Sequence, residues 1–327
     1  MQYKAHRFAV LLTLCGLLAT VFSIATVNTV DAHPQAIFKL TNSIRTEDTV
    51  LRMRISPDGT LIAALAPATI TLRRTLDAAV VQTFTNAGMF TFSPNGQLLA
   101  AGGWTSDDHT IRIWNVSDGQ LLQTLLLPDT FALDVAFTPD GQRLLAVSGT
   151  QIVAWNTNDW SLLWSVQGDD VATRTVVISP DGQTFATTNE SALVKLWRMR
   201  DVRLLHTFAN QSWGGDTLSY SPDSQFLATG GFDTNISIWK VSTGRLVKHI
   251  NFNSGGVYSL AYQPSGDFLA VSLAEGPIQL LQTRGYNLKQ TLTGHVSGVN
   301  SLIFKSDGRT LFSGGSDSVI NVWSQAQ

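Results

Sequence analysis

A four-residue turn recurs seven times along this 327-residue chain, and its spacing constrains the fold more than any other feature. It reads SPDG at Ser56, SPNG at Ser93, TPDG at Thr138, SPDG at Ser179, SPDS at Ser221, QPSG at Gln263 and KSDG at Lys305. Successive copies lie 37, 45, 41, 42, 42 and 42 residues apart. Proline presets φ at the first corner, Asp or Asn folds its side chain back onto the local backbone, and Gly tolerates positive φ. Each copy therefore predicts a tight turn between two strands.

The flanking sequence keeps the same period. An alternating run precedes each turn, as in "VLRMRIS", "LDVAFT" and "TLSYS". A small, apolar run follows it, as in "LIAALA", "FLATGG" and "TLFSGG". A third run comes next ("IRIWN", "ISIWK", "INVWS"), and the first six copies add a fourth, such as "QLLQTLLL" or "RLLHTF". Four short strands in a unit of about 42 residues form the sequence signature of a β-propeller blade. The chain over 33–327 is therefore predicted to be an all-β, seven-bladed β-propeller of four-stranded antiparallel blades. The seventh copy stops after its third strand, at Trp323. "AIFKL", Ala36 to Leu40, matches the fourth-strand register. An N-terminal strand at about 36–40 is thus expected to complete the last blade and close the ring, which removes two open edges.

The last copy, "LTGHVSGVNSLIFKSDGRTLFSGGSDSVINVW", resembles the repeat of the WD-repeat propeller family. The resemblance covers essentially the whole chain after about residue 35. It implies that His295, Ser313, Asp317 and Trp323 form a hydrogen-bonded network that locks one blade. The other copies depart from the pattern. Trp114, Trp155, Trp197 and Trp239 keep the third-strand tryptophan, but Arg73 and Leu281 replace it in the first and sixth copies. Asp108 and Asp233 keep the turn aspartate, while Pro67, Gly149, Ser191 and Glu275 replace it. No other copy has the Gly-His pair. Six blades are therefore expected to rest mainly on apolar packing. Exported TolB-like propellers share the SPDG turn, but the Ile-x-Ile-Trp core of "IRIWN" and "ISIWK" favours the WD-repeat resemblance.

Composition narrows the function. Net charge is −2 with no basic run, so no global field favours nucleic acid. No catalytic nucleophile elbow, zinc-protease motif or phosphate-binding loop occurs, and the histidines lie at no metal-ligand spacing. No metal and no cofactor is expected. The "SDDHT" stretch, Ser106 to Thr110, reads as a solvated turn, and Asp169 and Asp170 as connector residues that face water.

The first 32 residues differ in character. Lys4, His6 and Arg7 precede a stretch from Phe8 to Val27 without charge, and Val30 and Ala32 suit cleavage after Ala32. This layout predicts a signal peptide at 1–32, with an uncleaved signal anchor as the alternative. Residues 33 onward are then expected outside the cytoplasm, with membrane contact only through the N-terminal segment if it is uncleaved. Cys15, the only cysteine, falls inside that segment, so core burial must hold the fold without disulfides.

The resemblance further implies a partner face built from blade connectors and the turns between second and third strands. Arg174, Glu190, Trp213, Asp216, Phe232 and Tyr258 fall there in blades four to six, and aromatic residues with Arg suit an interaction hot spot. The expected function is a monomeric, extracytoplasmic scaffold that binds a protein or peptide partner without catalysis. The alternative is a propeller enzyme or small-ligand-binding protein with its site at the central channel mouth. That alternative requires polar residues converging from several blades.

Overall fold

This computed structural model describes residues 36–128, 130–209, 217–253 and 255–326. Its strands form seven four-stranded antiparallel sheets, and the described residues contain no helix. Blades one to six occupy 52–85, 87–126, 132–167, 173–209, 217–251 and 257–292. Each is a simple meander of strands a to d. Strand a lines the central channel, strand b is almost wholly buried, and strand d is largely exposed. The seven-bladed expectation holds throughout.

The recurrent turn works as its chemistry requires. Ser56 Oγ donates to Asp58 Oδ1 and accepts the Leu61 amide at 2.9 Å, so one hydroxyl closes the corner from both sides. Ser93, Thr138, Ser179 and Ser221 repeat the bond to the residue two positions on. The fourth position takes φ near +70° in Gly59, Gly96 and Gly141, a region that penalises a Cβ. The Ser56 hydroxyl, then the Thr60 amide and hydroxyl, hold the Asp58 carboxyl below its ordinary range. Asp140 is lowered too, although burial opposes the bonds from Thr138 and Gln142.

Between blades, seven apolar clusters make up the core of the described residues, and each is drawn chiefly from two neighbouring blades. Leu65, Leu72 and Phe84 of blade one meet Phe90, Leu99 and Trp114 of blade two. Met53 and Ile62 of blade one meet Phe312 and Ile320 of blade seven, which brings the circle back to its start. Strand b explains this: its apolar residues fill both faces of the sheet, so the blade needs a neighbour on each side.

Blade seven comprises 299–325 together with an N-terminal strand, as expected, but that strand is Phe38–Arg45 and not 36–40. It starts later and runs longer because its partner Val319–Gln325 offers pairing along its whole length, from Phe38↔Gln325 to Arg45↔Val319. Phe38 is 1% exposed and meets Phe304 edge-on at 5.8 Å. Its backbone also exchanges two bonds with the Gln290 side chain of blade six, at 2.9 and 2.7 Å.

Two predictions follow from the closure and the turns. Phe38→Ala is expected to cost about 3–5 kcal/mol, while exposed Lys39→Ala stays within about 0.5 kcal/mol. Equal denaturant midpoints for the two variants would refute the closure. The lowered turn carboxylates stabilise the fold above the unfolded carboxylate value of about 4, and that contribution disappears as pH falls through their lower folded values. The melting temperature should therefore be flat between about pH 7 and 5 and fall below about pH 4, less steeply in Asp58→Asn. A thermal-melt series across pH checks this.

Candidate functional site

The network expected in blade seven is complete. His295 Nδ1 lies 3.0 and 2.9 Å from the two Asp317 oxygens, and His295 Nε2 lies 2.8 Å from Ser313 Oγ. Trp323 Nε1 donates to that same Ser313 oxygen at 2.8 Å. Donors then run one way: indole N–H to hydroxyl oxygen, hydroxyl to imidazole, imidazole N–H to carboxylate. The order Ser-His-Asp is that of a hydrolytic triad. Here, however, the Ser313 and His295 side chains have no exposed surface and the indole occupies the hydroxyl from behind. A substrate carbonyl cannot reach Ser313, so this constellation locks a blade and does not attack a substrate.

Four of the six residues expected to bind a partner, Arg174, Glu190, Phe232 and Tyr258, are described, and they lie in the b–c turns or at the channel-facing start of strand a. Arg174 and Glu190 form an ion pair at 3.3 Å, both about half exposed. Phe232 and Tyr258 meet edge-on with ring centroids 5.7 Å apart, yet remain 58% and 36% exposed. Gly256 allows this approach, because a Cβ there would come within 2.8 Å of the Phe232 backbone. Trp213 and Asp216 lie outside the described residues. Trp104 in the b–c turn of blade two and Val296 beside His295 also stand exposed. Neither was marked by the sequence, since Trp104 has no counterpart in the repeat and Val296 is a lone apolar residue. Asp169 does not face water as expected: it pairs with Lys195 Nζ at 2.8 Å and accepts from Asn189 Nδ2 at 2.6 Å. Asp108 likewise ties down its turn through Thr110 and Arg112.

Strand a reaches the channel through a local irregularity. In blades three, four, six and seven its pairing with strand b skips Leu133, Arg174, Tyr258 and Asn300. A bulge leaves the extra residue unpaired and re-aims its side chain, and all four line the channel. The next position in the repeat is Arg52, Met89, Asp134, Thr175, Thr217, Ser259 and Ser301 in the seven blades. Its side chains stitch neighbouring blades together. Ser301 Oγ accepts the Met53 amide at 2.9 Å, Ser259 Oγ the Leu302 amide at 3.0 Å, and Thr217 Oγ1 the Leu260 amide at 3.1 Å. Asp134 Oδ2 accepts the Val176 amide at 3.2 Å and pairs with Arg52 at 3.3 Å. The channel cavity is about 320 Å³. Arg52, Arg54 and Asp134 were not singled out in the sequence, although the repeat register marks the column that holds two of them.

The WD domain, G-beta repeat family model matches residues 81–115, 216–240 and 286–324. The chain is a WD-repeat β-propeller. The three matched stretches are the ones that keep both the b–c turn aspartate and the strand-c tryptophan: Asp108 with Trp114, Asp233 with Trp239, and Asp317 with Trp323. Over 56 residues the chain is 50% identical to "Eukaryotic translation initiation factor 3 subunit I" of Aspergillus oryzae, which covers 17% of this chain and 16% of that protein. The same subunit of Aspergillus fumigatus is also 50% identical over 56 residues, 17% of this chain and 15% of the relative. An uncharacterized WD repeat-containing protein of Synechocystis sp. is 36% identical over 102 residues, 28% of this chain and 27% of the relative. The match therefore spans about one-sixth of the length of the initiation-factor subunits, roughly one repeat and a third.

Parts of the WD-repeat lock persist in other blades. Trp197 Nε1 donates to Thr187 Oγ1 at 3.0 Å and Trp239 Nε1 to Thr229 Oγ1 at 3.1 Å. Thr187 and Thr229 occupy the place of Ser313, whereas Ala101 and Ala146 stand there in blades two and three and offer no acceptor. Blades four and five thus keep the indole bond, which adds one polar contact to the mainly apolar packing expected of them. Ser313→Ala should cost about 1–3 kcal/mol, because the buried indole and imidazole both lose their partner. Thr187→Val strands only the indole of Trp197 and should cost less. Urea unfolding of both variants tests the order.

Proposed function

We propose that this WD-repeat propeller is a non-catalytic scaffold that holds a protein or peptide partner on its connector face, at the channel mouth beside blades four to six. The observation that carries the reading is the Phe232–Tyr258 pair. Two aromatic rings in contact with each other but left open to water withhold apolar area that burial would reward at about 25 cal/mol per Å². Aromatic residues flanked by an arginine are the commonest energetic centres of protein interfaces. Arg174 supplies that neighbour, since it lines the same channel mouth as Tyr258. The sealed Ser313–His295–Asp317 arrangement supports the non-catalytic part of the proposal.

The proposal places the propeller outside the cytoplasm. Its support is the uncharged stretch Phe8–Val27 behind Lys4 and Arg7 and the small residues before position 33. N-terminal sequencing of the protein from fractionated cells tests this: a chain beginning at Met1 in the cytoplasmic fraction would end it.

For the partner face, the full chain serves as bait in affinity capture alongside a Phe232→Ala/Tyr258→Ala variant. Leu76→Ala, an exposed position in a c–d turn remote from the connector face, is the control. The double variant should hold the partner at least about tenfold more weakly, with the control unchanged. Equal retention by all three proteins would refute the assignment.

A further inference from the structure

Among the described residues, the charge lining the channel does not balance. Arg52, Arg54 and Arg174 are the charged residues among its described lining, and no carboxylate is among them. Arg174 is engaged by Glu190 at the mouth, and Arg52 by Asp134, which sits fully buried just behind the lining. Arg54 remains. Its guanidinium donates to the Met53 carbonyl at 3.1 Å, and no described carboxylate pairs with it. Strand alternation explains how it comes to point inward: Arg52 and Arg54 lie two residues apart on one side of strand a, while Met53 between them enters the core shared with blade seven.

A half-buried cation beside a second cation is unfavourable unless an anion joins them. Burial first, and then the Arg52 charge, push the Arg54 guanidinium down to about 9 against the opposing pull of Asp134. It is still a cation at neutral pH. The surrounding wall is suited to an oxygen-rich guest, because Thr217, Ser259 and Ser301 bring hydroxyls to the same cavity. Its volume, about 320 Å³, is that of a small-molecule pocket.

We propose that the central channel binds a small free oxyanion, a phosphate or a compact polycarboxylate, held by Arg54 together with Arg52. Charge-assisted bonds from two guanidinium groups hold the anion. This site does not depend on the partner-binding reading. It uses Arg52 and Arg54 of blade one and not the Phe232–Tyr258 pair, and either proposal can fail alone.

The test is isothermal titration and thermal denaturation of the full chain with inorganic phosphate and, separately, citrate, against chloride at matched ionic strength. One or both anions should bind at a single site, raise the melting temperature and weaken as salt rises; the two arms tell phosphate from carboxylate preference. Arg54→Gln should lower affinity at least about tenfold. The same substitution should raise the melting temperature of the anion-free protein, because it removes the unpaired charge. Met89→Glu tests the idea without touching an arginine. Met89 Sδ lies 3.7 Å from the Arg52 guanidinium, so a carboxylate there becomes an internal competitor and should also weaken binding. Exposed Arg309→Gln should change nothing. The proposal is overturned if neither anion stabilises the protein beyond chloride, or if Arg54→Gln or Met89→Glu binds as the unaltered chain does. It is equally overturned if Arg309→Gln loses as much affinity as they do.

Discussion

No blade of this propeller has a core of its own, and the rest of the structure follows from that. Each sheet is four strands of about six residues, too small to bury apolar surface by itself. Its apolar side chains on both faces are covered only by the sheets on either side. The interfaces must form as a closed set, because an open arc would leave two apolar faces and two strand edges in water. The chain meets this requirement by bringing its two ends into one sheet. Phe38 enters the cluster between blades six and seven, and Ile44, on the same strand, enters the cluster between blades seven and one. A single N-terminal strand thus seals the interfaces on both sides of the closing blade.

Because packing between blades carries the fold, the polar lock can decay around the ring without loss of architecture. Blade seven keeps all four members, blades four and five keep the indole-to-hydroxyl bond, blade two keeps the tryptophan with the turn aspartate Asp108, and blade three keeps only the tryptophan. In blade six Leu281 takes the tryptophan's place and is simply absorbed into the apolar cluster with blade five. Blade one accommodates Arg73 less well. One guanidinium nitrogen reaches the Ala78 carbonyl at 3.2 Å, but Nε is buried without a partner. A buried network stabilises only when complete, so the full lock at the closing blade counts most where ring closure also depends on the joining of distant chain segments.

How much of this was legible in the sequence depends on the physical origin of each feature. The blades were legible because turn chemistry and strand alternation are local: Pro57, Asp58 and Gly59 specify a corner whatever surrounds them. The closing strand was legible as a missing partner, but its extent was not, since that is set by the length of Val319–Gln325 across the ring. Of the proposed partner residues, the sequence placed Phe232 and Tyr258 on one face but could not show their ring contact, which depends on the small Gly256 between them. The bulges that turn Arg174 and Tyr258 into the channel were hidden for a related reason. A bulge is a property of two strands in register and leaves no mark on one of them.

The channel itself shows how a repeat separates fold from chemistry. Strands b and c carry side chains that must fit a neighbouring blade, so an apolar exchange such as Trp to Leu is absorbed, whereas Arg73 leaves a buried nitrogen without a partner. The inward column of strand a faces a cavity, where fit matters less and substitution is freer. Blades five to seven use it for Thr217, Ser259 and Ser301, whose uncharged hydroxyls bond the next blade. Blades one to three use it for Arg52, Met89 and Asp134, with Arg54 one step deeper. The ring is therefore symmetric where it packs and asymmetric where it opens. Among the described residues, hydroxyls and guanidinium groups share the lining of a cavity of about 320 Å³, and the Arg52–Asp134 pair leaves Arg54 without a carboxylate of its own. Such an imbalance costs stability in an empty channel. Its placement at the position where the fold demands least makes ligand recognition a better account of Arg54 than packing does.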